Sequence, residues 1–119
     1  MLMIRAIVRQ EKVAEVVSAL MDANYYAMTK FSVVGRGRQR GLRVGGITYD
    51  ELPKEMLMLV VPESDQGLVC DIIIQAARTE GKGAFGDGKI FITPVSASYT
   101  IRTGERDDVL QPQPEPALA

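Results

Sequence analysis

Leu2-Met3-Ile4-Arg5-Ala6-Ile7-Val8-Arg9 sets Leu2, Ile4, Ala6 and Val8 against Met3, Arg5, Ile7 and Arg9. A repeat of two is the repeat of a strand, and the wholly apolar set marks its strongly buried face. From Glu11 the spacing changes. Val13, Val16, Val17, Leu20 and Met21 recur at i, i+3 and i+4, which makes one face of a helix ending near Asn24. Tyr25 to Gly35 then returns to aromatic and β-branched residues. Thr29, Phe31 and Val33 alternate with Met28, Lys30, Ser32 and Val34, as in a second strand.

The same order recurs further along. Glu55 to Val61 is a near-continuous apolar run closed by Pro62, as expected of a central strand covered on both faces. Ser64 or Asp65 offers an N-cap, and Val69, Ile72, Ile73, Ala76 and Ala77 form a second helix stripe that should stop near Arg78. A glycine loop, 79–89, leads into a strand from Lys89 to about Ala97, with Tyr99-Thr100-Ile101-Arg102 as an extension. The order β-α-β-loop-β-α-β predicts an α+β fold of the ferredoxin-like βαββαβ kind, a four-stranded antiparallel sheet with two helices on one face. The other sheet face is apolar and needs a cover, so dimer or trimer formation is the physical expectation. Residues 1–106 form the expected domain. Gln111-Pro112-Gln113-Pro114-Glu115-Pro116 can neither pair nor coil, and 107–119 reads as a disordered Pro-rich tail.

Composition narrows the function classes. At 119 residues and 46% hydrophobic content the chain has one domain's worth of core. The longest apolar run, Met56 to Val61, is too short to cross a bilayer, and Met1-Leu2-Met3-Ile4-Arg5 lacks the layout of a signal peptide. A soluble cytoplasmic protein without membrane insertion is expected. The lone Cys70 lies in the second helical stripe and reads as a structural thiol. With no histidine and one cysteine, there is no material for a zinc site, a Ser-His-Asp triad or a Cys-His pair. The net charge of −1 conceals a separation: Arg36, Arg38, Arg40 and Arg43 share one stretch, while acids gather at Asp50-Glu51, Glu63-Asp65 and Glu105-Asp108.

Two loops carry the remaining information. Gly35 to Gly46 breaks all periodicity and opens a long exposed loop up to Pro53; connections of that length in a small domain are functional or disordered. Its arginines suit a solvated surface loop, an anion site or a nucleic-acid patch. Tyr49 is its one aromatic, so base stacking has little support, and no nucleic-acid partner is expected. The second loop contains Gly86-Asp87-Gly88-Lys89. Its glycines let backbone N–H groups converge on an anion, and Lys89 adds a point charge. An Asp-Gly turn opening an ordinary strand fits the same residues. The Walker spacing is absent and a strand follows rather than a helix, so no helix dipole can assist a phosphate here.

Four separated segments together resemble the PII signal-transduction family, from Met1 to about Asp108. Thr79 followed by Gly86-Asp87-Gly88-Lys89-Ile90-Phe91 resembles its C-terminal signature, and Arg102-Thr103-Gly104-Glu105 its closing segment. Gly35-Arg36-Gly37-Arg38-Gln39-Arg40-Gly41 resembles the start of its T-loop and Leu52-Pro53-Lys54 the end, giving a T-loop of about 37–53. The resemblance implies a homotrimer, or a mixed oligomer with a second PII-like protein, that binds ATP or ADP between subunits and senses 2-oxoglutarate. By that resemblance Gly37, Arg38, Gly86, Asp87, Gly88 and Lys89 hold phosphates, Arg102 reaches in from a neighbouring subunit, and Thr29 and Val60 lie along adenine and ribose. Gln39 is the implied ligand of Mg²⁺ and 2-oxoglutarate, and Lys54 the cation for a ligand carboxylate. A neutral amide beside nucleotide oxygens suits Mg²⁺, a hard cation satisfied by oxygen donors.

The chain departs from the common pattern at several places. It lacks the Tyr-Arg-Gly-Ala-Glu-Tyr segment that carries the uridylylated tyrosine, and Tyr49 stands at a shifted position. Thr100 occupies the place of a second phosphate-binding arginine. The Glu80-Gly81-Lys82-Gly83-Ala84-Phe85 insertion, Arg36 after Gly35, and the Tyr49 to Lys54 ending resemble the nitrogen-fixation-cluster subgroup. That subgroup regulates nitrogenase by binding its dinitrogenase component, and the partner-binding loop here would present Arg40, Arg43 and Tyr49. The alternative is a conventional PII regulator of glutamine synthetase or an ammonium transporter. An enzyme using Asp87 and Lys89 for phosphoryl transfer has no paired acid and base to support it, and no catalytic residue is expected.

Overall fold

The protein is described here from a computed structural model, whose described residues are 1–36, 42–44, 47–49 and 51–107. Strand β1 (Leu2–Arg9) is followed by a short 3₁₀ turn at Gln10–Lys12 and helix α1 (Val13–Asp22). Next come β2 (Thr29–Arg36), the short strands β3 (Leu42–Val44) and β4 (Ile47–Tyr49), and β5 (Glu51–Val61). A second 3₁₀ turn at Glu63–Asp65 leads to α2 (Gln66–Ala77), and β6 (Gly88–Pro94) closes the sheet. The four long strands form one antiparallel sheet in the order β2-β5-β1-β6. This is the expected split βαβ arrangement: each helix connects two strands separated by a third.

The alternation in β1 is kept residue by residue, since Leu2, Ile4, Ala6 and Val8 are buried while their neighbours are half-exposed. The register aligns Leu2, Ile4 and Ala6 with Val61, Leu59 and Leu57 of β5, and Ile4, Ala6, Val8 and these β5 residues form one core with Val13, Val16 and Leu20 of α1 and Val69, Ile73 and Ala77 of α2. Helix α1 stops where a residue can take the left-handed conformation. Asn24 has φ 71°, and the Asn24 and Tyr25 N–H groups donate to the Met21 and Leu20 carbonyls at 2.9 Å each. Those two bonds satisfy carbonyls that the helix end would otherwise leave open.

Several boundaries differ from the sequence reading. Strand β5 begins at Glu51 rather than Glu55, because β2 pairs with it as far as Arg36 opposite Glu51. Its Leu57, Leu59 and Val61 are buried, but Val60 is 43% exposed, so one face only is covered within the chain. The stretch read as an unbroken loop holds the small antiparallel pair β3 and β4, with Arg43 opposite Thr48. Asp65 is the N-cap residue of α2, but its side chain makes no cap hydrogen bond. A 3₁₀ turn precedes the helix, and the Asp65 carboxylate instead accepts a 2.8 Å hydrogen bond from the Tyr25 hydroxyl.

Strand β6 ends at Pro94, before the expected Ala97, and Tyr99 to Arg102 does not extend it. Tyr99 instead bridges to Arg106 around a turn that carries Arg102. The Thr100 hydroxyl locks this turn by donating to the Asp107 carboxylate at 2.7 Å, and the Asp107 N–H donates to the Ser98 carbonyl. Asp107, expected to begin the tail, is therefore tied to the domain, while 108–119 lie outside the described residues.

The sheet face away from the helices presents Met3, Ile7, Phe31, Val33, Met56, Met58, Val60 and Phe91, with Arg5 among them. No helix of the described residues is long and apolar enough to cross a membrane.

Candidate functional site

The expected site residues are spread across this sheet, from β2 and β5 on one side to the β6 edge on the other. Thr29 opens β2, exposed, on the open face and level with Met58. Val60 lies two residues further along β5 on the same face. Gly86, Asp87, Gly88 and Lys89 lie at the β6 edge, where Lys89 is exposed and level with Ile7. Between β2 and β6 stand β5 and β1, so Thr29 is three strand spacings, about 14 Å across the sheet, from the glycine turn, and Val60 on β5 is two. Arg102 is exposed on the turn after Tyr99. Gly37, Arg38, Gln39 and Arg40 fall outside the described residues; Arg43 and Tyr49 belong to β3 and β4.

The glycine loop is built around the Asp87 carboxylate. Its Oδ2 accepts from the Ala84 N–H at 2.8 Å, the Thr79 N–H at 3.1 Å and the Thr79 hydroxyl at 3.3 Å. Its Oδ1 accepts from Arg9 Nε at 3.1 Å. Burial pushes the Asp87 carboxyl upward, but the Ala84 and Thr79 N–H donors, Arg9 and the Thr79 hydroxyl together outweigh it and hold the group down at about 2. The carboxylate thus ties the two ends of the 80–85 insertion to each other and to β1.

Glycine is required here for two different reasons. Gly88 has φ +121°, and a Cβ at this position would stand 1.8 Å from the Ile7 carbonyl oxygen, inside the β1–β6 ladder. Gly83 has φ +80°, and its Cβ would meet Asp87 Oδ2 at 2.8 Å. The first glycine lets the strands pair; the second leaves room for the carboxylate that organises the loop.

Lys54 has an unexpected setting. It is 8% exposed, the one buried charged residue among those described. Its ammonium donates to the Gly86 carbonyl. Burial lowers its pKa, and the facing Arg9 lowers it further, against the opposing pull of Glu11 and Asp87. A Cβ on Gly35 would come within 3.0 Å of the Lys54 stem, so that glycine makes the space in which the lysine lies.

Sequence reasoning passed over Arg9 and gave Thr79 only a place in a motif. Both converge on Asp87. The one signal for Arg9 was a charged residue at the end of a strand, which carries no record of the loop it meets. Among the described residues no group of three or more Cys, Asp or Glu could hold a metal ion. Asp87, with its carboxylate engaged by four donors, is poorly suited to a first bond to one.

Comparison with known proteins agrees with this architecture. A profile of the family described as "Nitrogen regulatory protein P-II" matches residues 1–105. "Nitrogen fixation nifHD region GlnB-like protein 1" of Methanobacterium ivanovii is 54% identical over 103 residues, covering 87% of this chain and 95% of that protein. "Nitrogen fixation nifHD2 region GlnB-like protein 1" of Methanosarcina barkeri is 46% identical over 106 residues, 89% of this chain and 98% of its own. "Nitrogen regulatory protein P-II" of a Synechocystis strain is 43% identical over 108 residues, with 87% and 94% covered. The chain belongs to the nitrogen regulatory protein P-II family, and the nitrogen-fixation-region GlnB-like proteins are among its relatives.

Proposed function

We propose that this protein is a cytoplasmic regulator of nitrogen fixation. It binds ATP or ADP and 2-oxoglutarate in clefts between subunits and controls nitrogenase through contacts of the loop between β2 and β5 with the dinitrogenase component. The observation that carries the nucleotide reading is the separation of the expected binding groups, on β2 and β5 at one side of the sheet and at the β6 edge on the other. Thr29 and Val60 offer a surface for a base and ribose, whereas the turn at Gly86 to Lys89 offers N–H groups and a cation for phosphates. A second copy packed against the open face would bring its own half beside the other and close a cleft between subunits. The apolar open sheet face supplies a reason for copies to associate as a trimer, alone or with a second PII-like chain.

Mg²⁺ would be held mainly by nucleotide and 2-oxoglutarate oxygens with Gln39. Lys54 would serve the ligand carboxylate by leaving the Gly86 carbonyl. The protein acts by binding and has no catalytic role of its own. The nitrogenase assignment rests on the nifHD-region names of its relatives and on the 80–85 insertion.

Calorimetry with MgATP and 2-oxoglutarate, alone and combined, tests the ligand reading: each should raise the affinity of the other, because binding linkage is reciprocal. Absence of heat with millimolar MgATP sinks it for the homomeric protein. Pull-down with nitrogenase components, with and without 2-oxoglutarate, tests the target. Equal capture in both conditions argues against a metabolite-controlled switch, and capture of an ammonium transporter or glutamine synthetase instead favours a conventional regulator.

A further inference from the structure

Arg9 and Lys54 are register partners on β1 and β5, two cations directly opposite each other on the open sheet face. Like charges in that arrangement repel. Here both are met by acceptors from one short piece of the glycine loop. Arg9 Nη2 donates to the Phe85 carbonyl at 2.9 Å and Arg9 Nε to Asp87, while Lys54 donates to the Gly86 carbonyl between them. Three successive residues of the loop are therefore clamped to the sheet. Arg9 is the member that spans two acceptors, as its planar fork of donors allows and a lysine does not.

We infer that Arg9 is a positioning residue for nucleotide binding, acting through Asp87 and the Phe85 carbonyl to hold the turn at Gly86 to Lys89 in its anion-accepting shape. The inference rests on the nucleotide reading proposed above. In the same way Asp87 acts as the hub of the loop and not as a phosphate contact. A carboxylate beside a phosphate would repel it, and this one is turned toward Arg9, Thr79 and Ala84. Arg9 and Asp87 have 16% and 18% of their side-chain surface exposed, so the pair is shielded enough for its geometry to matter.

The test is a double-mutant cycle on the full chain, with MgATP affinity read by calorimetry and loop order read by amide hydrogen exchange at residues 84–88. Arg9→Gln and Asp87→Asn should each weaken MgATP by about tenfold, and the double variant by no more than either alone, because both break one linkage. Exchange at the loop should rise in all three, and Arg9→Lys should recover only part of the loss. Thermal unfolding identifies any variant that fails to fold, and Arg9→Lys then carries the comparison. Wild-type protein that binds no nucleotide removes the underlying reading and this one with it. Wild-type binding with an unchanged Arg9→Gln affinity, or losses that add in the double variant, overturns this inference alone.

Discussion

The Arg9 guanidinium at the end of β1 donates through Nε to the Asp87 carboxylate, 3.1 Å away across 78 positions of sequence. The carboxylate also accepts from Ala84 and Thr79, so one side chain joins the central strand, the end of α2 and the loop before β6.

The folded pKa of Asp87, about 2, lies below its ordinary value of 3.8. Its charged form is favoured by folding, so its contribution to stability is complete above the ordinary value and is lost as pH falls through the folded one. Asp87→Asn should lower Tm by a constant amount at neutral pH, and the two melting curves should converge as pH falls from 3.8 toward 2. Thermal unfolding of both proteins across that range checks it; an undiminished difference at pH 2 would mean another interaction is responsible.

Tyr25 behaves in the opposite sense. Burial, together with its hydrogen bond to Asp65 and the Asp65 charge, pushes its hydroxyl up from 10.0 to about 12. The raised value favours the neutral phenol, so its contribution is complete below 10 and is lost as pH rises through about 12. Titration of tyrosinate absorbance should show a late-titrating group that is absent in Tyr25→Phe.

Gly88→Ala should destabilise strongly, because the added methyl would occupy the position of the Ile7 carbonyl and the backbone is at φ +121°. Overpacking alone costs roughly 1–3 kcal/mol, and the strained φ adds to it. Denaturant unfolding should show a lower midpoint than Gly81→Ala, a glycine of positive φ with open space around its Cβ position.

Leu57 and Val60 lie three positions apart on β5 but face opposite sides of the sheet. Leu57 is fully buried under the helices, and Leu57→Ala should cost about 2–5 kcal/mol. Val60 is 43% exposed on the open face; Val60→Asp should alter thermal stability of the monomer little and weaken self-association, read by analytical ultracentrifugation.

Lys89 is exposed at the start of β6. Lys89→Ala should leave folding intact and weaken nucleotide binding by about 1.5–3 kcal/mol, the range of a charge-assisted contact, or roughly tenfold or more in affinity. Equal affinity in the two proteins would remove Lys89 from the site.

The alternation of Leu2 to Arg9, the helical stripes from Val13 and from Val69, and their order determined the elements and the split βαβ topology, because periodicity is a local property that burial then obeys. The loop segments around Gly35 and Gly86 were sufficient to identify the family. Other features depended on contacts between residues distant in sequence. Tertiary structure decided that Lys54 is buried against Gly86, that Asp87 answers Arg9, that the Asp65 side chain at the N-cap of α2 receives Tyr25 and not the helix N–H groups, and that Thr29 and Lys89 stand on opposite edges of the sheet. A charged side chain at the end of a strand carries no local mark of its partner. Only the strand register, which brings Arg9 level with Lys54 and β6 against β1, decides which charges meet.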